Sequence, residues 1–102
     1  MDKKAFEWDD NKNLSNIAKH GLNFEEASEL FDDNYRLTIP DHRNDYGELR
    51  KISIGQITLS SLQTIIIIVV VHTDRNDVIR IISARKAKKK EREAYEKGKP
   101  IF

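Results

Sequence analysis

The chain is 102 residues long, 38% hydrophobic and 34% charged, and it has no cysteine. That length suits a single domain, spanning 1–102, with a modest core; the missing cysteine excludes a disulfide framework and a thiolate metal site and fits a reducing cytoplasm. The net charge of +1 conceals an asymmetry: residues 1–79 carry 9 Lys/Arg against 14 Asp/Glu, whereas residues 80–102 carry 9 against 3. Such a split directs a positive field at a polyanion or an acidic partner, unless the two parts neutralise each other across the fold.

The opening MDKKAFEWDDN has no apolar core of the kind a secretory signal needs. Phe6 and Trp8 alternate with polar residues, which predicts a short strand, and Asp9-Asp10-Asn11 supplies a helix N-cap. The helix that follows carries Leu14, Ile17 and Ala18 on one face and stops at Gly21. Asn23, with Glu26 three residues on, predicts a second capped helix. Its stripe is Phe24, Ala27, Leu30 and Phe31, and Asp32-Asp33 ends it.

From Tyr35 the period changes to two. Arg36–Ile39 reads as a short strand closed by Pro40, DHRNDYGE as a polar loop, and Leu49–Gln56 as a strand with Ile52 and Ile54 on one face. After the turn TLSS, Gln63–His72 is the central strand, because an unbroken Ile/Val run calls for cover on both faces. The seven-residue run Ile65–Val71 is far short of the roughly twenty residues a membrane span requires. DRND turns the chain and Val78–Ala84 is the last strand. Ser83 then suits the N-cap of a final helix over Ala84–Lys97. The expectation is an α+β fold: a short strand, two helices, a four-stranded antiparallel meander and a basic C-terminal helix.

The final helix would pack through Ala84, Ala87, Ala94 and Tyr95 and show Arg85, Lys88, Lys89 and Arg92 beside them. Glu91 falls on the packing side, where a carboxylate needs a cationic partner or exposure. A Lys-rich helix is commonly no more than a solvated face. Arg80 points further: it sits on an apolar strand opposite Ile79 and Ile81, and if the helices cover that side it projects from the open face of the sheet. Arg80 and Arg85 together, beside a helix N-terminus, would make a phosphate site.

His20, in AKHG beside Lys19, either complements the dipole of the first helix or serves as a general acid or base. His72 reads as a partly buried histidine bonded to a neighbour, and His42 as a solvated loop residue. The histidines are widely spaced, so no metal site and no cofactor are expected. The four glycines are isolated, leaving no phosphate-binding glycine loop. A Ser/His/Asp triad is not readable from so small a sheet. Trp8, Tyr46 and Tyr95 are the residues able to stack on bases, with Trp8 more readily a core residue and Tyr46, in the loop, the freest.

Three motifs carry a family resemblance. They are FEWD followed by KHG-x-x-F-E-E-A, then E-x-R-x-x-x-I-G from Glu48 to Gly55, then HT-x-R with R-I-I-S-A-R-x-A and a downstream Glu and Tyr. In this order, from Phe6 to Gly98, the chain resembles the BrnT family of bacterial toxins, departing from it mainly in the Ile-rich run TLSSLQTIIIIVVV. The resemblance implies a RelE-like fold and a type II toxin that stops translation by cutting RNA. It also implies a ribbon-helix-helix, BrnA-like antitoxin in a toxin–antitoxin heterotetramer, which would bind operator DNA through the antitoxin.

Metal-independent RNA cleavage uses the substrate 2′-OH as nucleophile, and needs a base, an acid and donors for the phosphorane charge. Arg80, Arg85 and Arg50 are the expected phosphate donors. His20 and Lys19 are the acid/base candidates, with Tyr95 a further one. Lys88, Lys89 and Arg92 would hold the RNA backbone. The rival reading is a non-catalytic module of the same fold that binds nucleic acid or an acidic antitoxin tail.

Overall fold

The computed structural model describes residues 5–43 and 47–98. Strand β1 (Ala5–Trp8) leads into helix α1 (Asp10–His20), then α2 (Phe24–Ser28), which tightens into a 3-10 turn over Glu29–Asp32. Strands β2 (Leu37–Pro40), β3 (Lys51–Leu59), β4 (Thr64–Arg75) and β5 (Val78–Lys86) follow, and α3 (Lys89–Gly98) comes last. Tyr46 lies outside the described residues.

Local chemistry sets the first half as the sequence implies. The Asp9 carboxylate accepts from Asn11 N–H and Lys12 N–H to start α1. Gly21 ends that helix at φ 67°, a left-handed conformation that glycine adopts without a Cβ penalty. Asn23 and Glu26 form a reciprocal capping box on α2. Phe24, Ala27, Leu30 and Phe31 are all buried.

The sheet is five-stranded and mixed, in the order β1-β5-β4-β3-β2. Strands β2 to β5 run antiparallel to their neighbours, while β1 joins the edge of β5 in parallel, Ala5 opposite Val78 through Trp8 opposite Ile81. The short first strand is therefore part of the sheet, which corrects the expected four-stranded arrangement. Strand β4 lies in the middle, as its Ile/Val run requires.

One face of the sheet carries Ile57, Ile68, Val70, Ile79, Ile81 and Ala84, which pack with Leu22, Phe24, Leu30 and Phe31 into the main core. Trp8 sets its edge against Phe24, with ring centroids 6.1 Å apart, and Phe6 meets Phe31 at 5.6 Å. Gly55 is the point of closest approach: a Cβ there would stand 2.9 Å from Leu30 Cγ and 3.2 Å from Arg36 Cβ.

Two further expectations are corrected. Strand β5 runs on to Lys86 and α3 begins at Lys89, so Ser83 is a strand residue and not a helix cap. Ala84 to Lys86 have the propensity for helix, but β4 offers them strand partners at Val70, Val69 and Ile68, and tertiary pairing wins. The expected helix stripe is also incomplete: Ala87 and Tyr95 are buried, whereas Ala94 is exposed.

Candidate functional site

The second face of the sheet holds the arginines. Thr73 on β4 lies opposite Arg80 on β5, and Arg80 opposite Glu7 on β1. Lys51 pairs with His72, so Arg50, one residue earlier, falls in line with Thr73. Arg50, just ahead of β3, thus falls in a row with Thr73, Arg80 and Glu7 on β4, β5 and β1. Strands sit about 4.8 Å apart, which places Arg50 and Arg80 on the order of 10 Å apart at their Cα atoms. Thr73 Oγ1 is buried in the middle of this row with no hydrogen-bond partner.

A bulge brings Arg85 to the same face. Val71 pairs with Ser83 and His72 with Ile81, so Ile82 is the extra residue on β5. Residues five apart on a regular strand point to opposite faces. The added residue reverses the parity, so that Ile79, Ile81 and Ala84 all enter the core and Arg80 and Arg85 stand on the other side. Arg85 heads a second row, Arg85-Val69-Ile54-Leu37.

Helix α3 crosses this face along that row. Ala87 N–H donates to Ile67 O near its start (2.9 Å), and Gly98 at its end lies against Leu37. Tyr95, fully buried between them, donates its hydroxyl to Asp33 Oδ2 at 2.5 Å. Asp33 Oδ2 also accepts Gln56 N–H, filling the edge of β3 beyond the end of β2. Burial, then the Asp33 contact, pushes the Tyr95 phenol well above its ordinary value. The structure therefore gives Tyr95 the role of tying α3 to the sheet, away from the arginine row.

Glu91 has the cationic partner its position calls for. Its two oxygens accept from both terminal nitrogens of Arg85 at 2.7 and 2.8 Å, and Oε1 also accepts Lys88 N–H at 2.8 Å. The Arg85 fork, more than any other neighbour, holds the Glu91 carboxyl down at about 2. Arg85 is stabilised as a cation by that same carboxylate, while the nearby charge of Arg43 opposes it. Arg80 lies 3.4 Å from Glu7, and Arg50 3.7 Å from Glu48. Arg43 grips the buried Asp41 with two bonds of 2.8 and 2.9 Å. The face is a cationic surface in which carboxylates hold the guanidiniums in place.

Lys88 and Lys89 are exposed at the start of α3, and exposed Arg92 caps Ala87 O at 2.9 Å. Lys19 and His20 are exposed at the end of α1. What fixes that helix is Asn16. Strand β1 leaves the sheet after Trp8, and the buried Asn16 amide takes its place on β5, donating to Ala84 O (2.7 Å) and accepting Ala84 N–H (3.1 Å). Leu14 and Ile17, the apolar residues of α1, are 64% and 41% exposed, because a polar contact seats this helix instead of the apolar one.

On the covered face runs a chain of polar groups that the sequence does not reveal. His72 Nδ1 is 2.7 Å from Asp74 Oδ1; a carboxylate accepts, so Nδ1 carries the proton and Nε2 accepts from Ser53 Oγ at 2.7 Å. Ser53 Oγ also meets Thr38 Oγ1, and Lys51 Nζ bonds Asp74 Oδ2. Ser53 is 0% and His72 1% exposed, with the edge of Phe31 against the imidazole, so this Ser-His-Asp arrangement is closed to substrate and braces β2, β3 and β4. Burial outweighs Asp74 and lowers the His72 pKa. Among the described residues, no group of three or more His, Cys, Asp or Glu side chains is arranged to hold a metal ion. No described helix is long and apolar enough to cross a membrane.

The model of a family of ribonuclease toxins of type II toxin–antitoxin systems matches residues 8–91 of this small α+β domain. The chain belongs to that family, BrnT. No curated protein matches it. Sequence reasoning named Arg50, Arg80 and Arg85 as candidates; it did not foresee Thr73 between them, the Asn16 contact or the bulge, none of which leaves a local pattern.

Proposed function

We propose that this chain is a metal-independent RNA endonuclease that inhibits translation in the cytoplasm, with Arg50, Arg80 and Arg85 as its phosphate-binding groups. The observation that supports this most is the placing of all three on one sheet face, Arg85 through the bulge at Ile82. The substrate 2′-OH gives up its proton to a base and attacks the adjacent phosphorus. The bond from phosphorus to the 5′-oxygen breaks, that oxygen takes a proton from an acid, and a 2′,3′-cyclic phosphate remains. Guanidinium forks stabilise the charge that builds on the phosphorane oxygens. His20 and Lys19 are the acid and base in this scheme, Lys88, Lys89 and Arg92 hold the flanking backbone, and the domain is RelE-like.

A BrnA-like, ribbon-helix-helix antitoxin neutralises the toxin in a heterotetramer and carries the complex to operator DNA. The test is expression in bacteria of wild type beside Arg80→Ala and Arg85→Ala. Wild type arrests growth and degrades messenger RNA, and both variants do neither. A wild type that leaves messenger RNA intact removes the enzyme reading. The ion pairs of Arg80 with Glu7 and of Arg85 with Glu91 favour, as the second reading, a non-catalytic binding module, which that result would support.

A further inference from the structure

Helix α3 divides the open face, and on the side away from the arginine row lies a groove of about 360 Å³ lined by Ile65, Ile67, Lys86, Ala87, Arg92 and Glu96. It forms where the sheet steps down. Strand β5 ends with Lys86 opposite Ile68, and Ala87 N–H still takes Ile67 O, so Thr64–Ile66 of β4 pair with β3 on one side and have no described strand on the other. Ile65 is 62% exposed there, and Leu62, in the turn before it, 68%. The run from Thr64 to Val71 contains no charge and no proline. A sheet edge of that composition, with none of the usual blocking residues, is a template for pairing with another chain. Lys86 and Arg92 flank it, exposed Lys88, Lys89 and Lys90 stand next to it, and Glu96 is the one acid in its lining.

We infer that this groove is the docking site for an extended acidic segment of the antitoxin, which adds as a strand beside Thr64–Ile66. The inference rests on the reading of the chain as a toxin with a protein antitoxin. Backbone pairing supplies affinity, apolar side chains of the segment cover Ile65 and Ile67, and its carboxylates meet Lys86 and Arg92. RNA fits the same groove poorly: the floor is isoleucine and a strand edge, with phosphate donors at the rim alone and no aromatic ring for a base.

The probe is the purified product of the short gene adjacent to this one, titrated against the full chain. Ile65→Asp weakens binding by about tenfold or more, and Glu96→Arg, which removes the groove's acid, tightens it and steepens its loss with salt. Both variants retain the wild-type rate of RNA cleavage. Leu14→Asp, at an equally exposed leucine on α1, leaves binding unchanged. Unchanged binding by Ile65→Asp, weaker binding by Glu96→Arg, or a loss at Leu14→Asp instead would overturn the groove while leaving the antitoxin reading intact. Slower RNA cleavage by Ile65→Asp with antitoxin binding preserved would make RNA the occupant and overturn it too. Wild type that fails to bind the neighbouring gene product ends the partner reading and the groove together.

Discussion

Replacing Asn16 with Ala tests how α1 is held. The side chain serves three backbone groups: Nδ2 donates to Leu22 O at 2.9 Å and Ala84 O at 2.7 Å, and Oδ1 accepts Ala84 N–H at 3.1 Å. Asn16 is 6% exposed, so truncation strands one donor and two acceptors in a place water reaches poorly. At about 1–3 kcal/mol for each buried group left unsatisfied, with a water recovering part of the loss, the net cost is about 3–4 kcal/mol. In a domain of this size each kcal/mol moves Tm by roughly 4–8 °C, so the melting point falls by about 15–25 °C. Asn16→Asp keeps an acceptor for Ala84 N–H but loses both donated bonds and buries a charge, and it falls at least as far. Urea and thermal unfolding followed by circular dichroism measure both. A loss below about 1 kcal/mol for Asn16→Ala would refute the claim that this amide, and not an apolar face, seats the helix carrying Lys19 and His20.

Three other outcomes follow from the buried groups. Burial lowers the His72 pKa from its usual 6.5, so the unfolded chain takes the proton first. Stability is therefore level above that pH and falls below it by up to about 1.4 kcal/mol per pH unit, until the folded pKa is passed. Asp74 and Glu91, both held below the ordinary carboxylate range, add losses of the same sign only in stronger acid. Urea midpoints between neutral and mildly acidic pH would show this slope in wild type and a shallower one in His72→Gln; a midpoint rising toward acid contradicts it. Tyr95→Phe removes the hydroxyl from Asp33, costs about 1–2 kcal/mol in urea unfolding and leaves RNA cleavage unchanged, whereas lost cleavage with normal stability would return Tyr95 to the chemistry. Gly55→Ala drives a methyl against Leu30 and Arg36 and destabilises by about 1–3 kcal/mol, and a neutral result would contradict the close packing of the 3-10 turn on β3.

Elements whose signals are local were readable from the sequence. Asp9, Gly21, Asn23 and the run in β4 each act through neighbours in the chain, and each took the place its chemistry implies. What failed was non-local. The pairing of β1 with β5 joins residues some seventy positions apart, and nothing in AFEW specifies its partner. Ala84-Arg85-Lys86 reads as helix in isolation and becomes strand because β4 lies beside it. Leu14 and Ile17 read as a packing face, yet the free edge of β5 demanded a hydrogen-bonding side chain, and Asn16 met that demand from the other side of the helix. For the site, Arg80 was readable from its parity on an apolar strand. Arg85 reached the same face by a bulge that the sequence does not signal, and the polar chain from Thr38 to Asp74 depends on registers between three strands.

The arginine face itself is tested most directly by single-turnover cleavage of single-stranded RNA, with purified wild type, Arg80→Ala and Arg85→Ala compared at matched folding stability. Each substitution removes one donor from the developing phosphorane and lowers the cleavage rate by about 10²–10³-fold. Rates within about twofold of wild type for both variants would contradict the assignment of Arg80 and Arg85 as groups that bind the scissile phosphate.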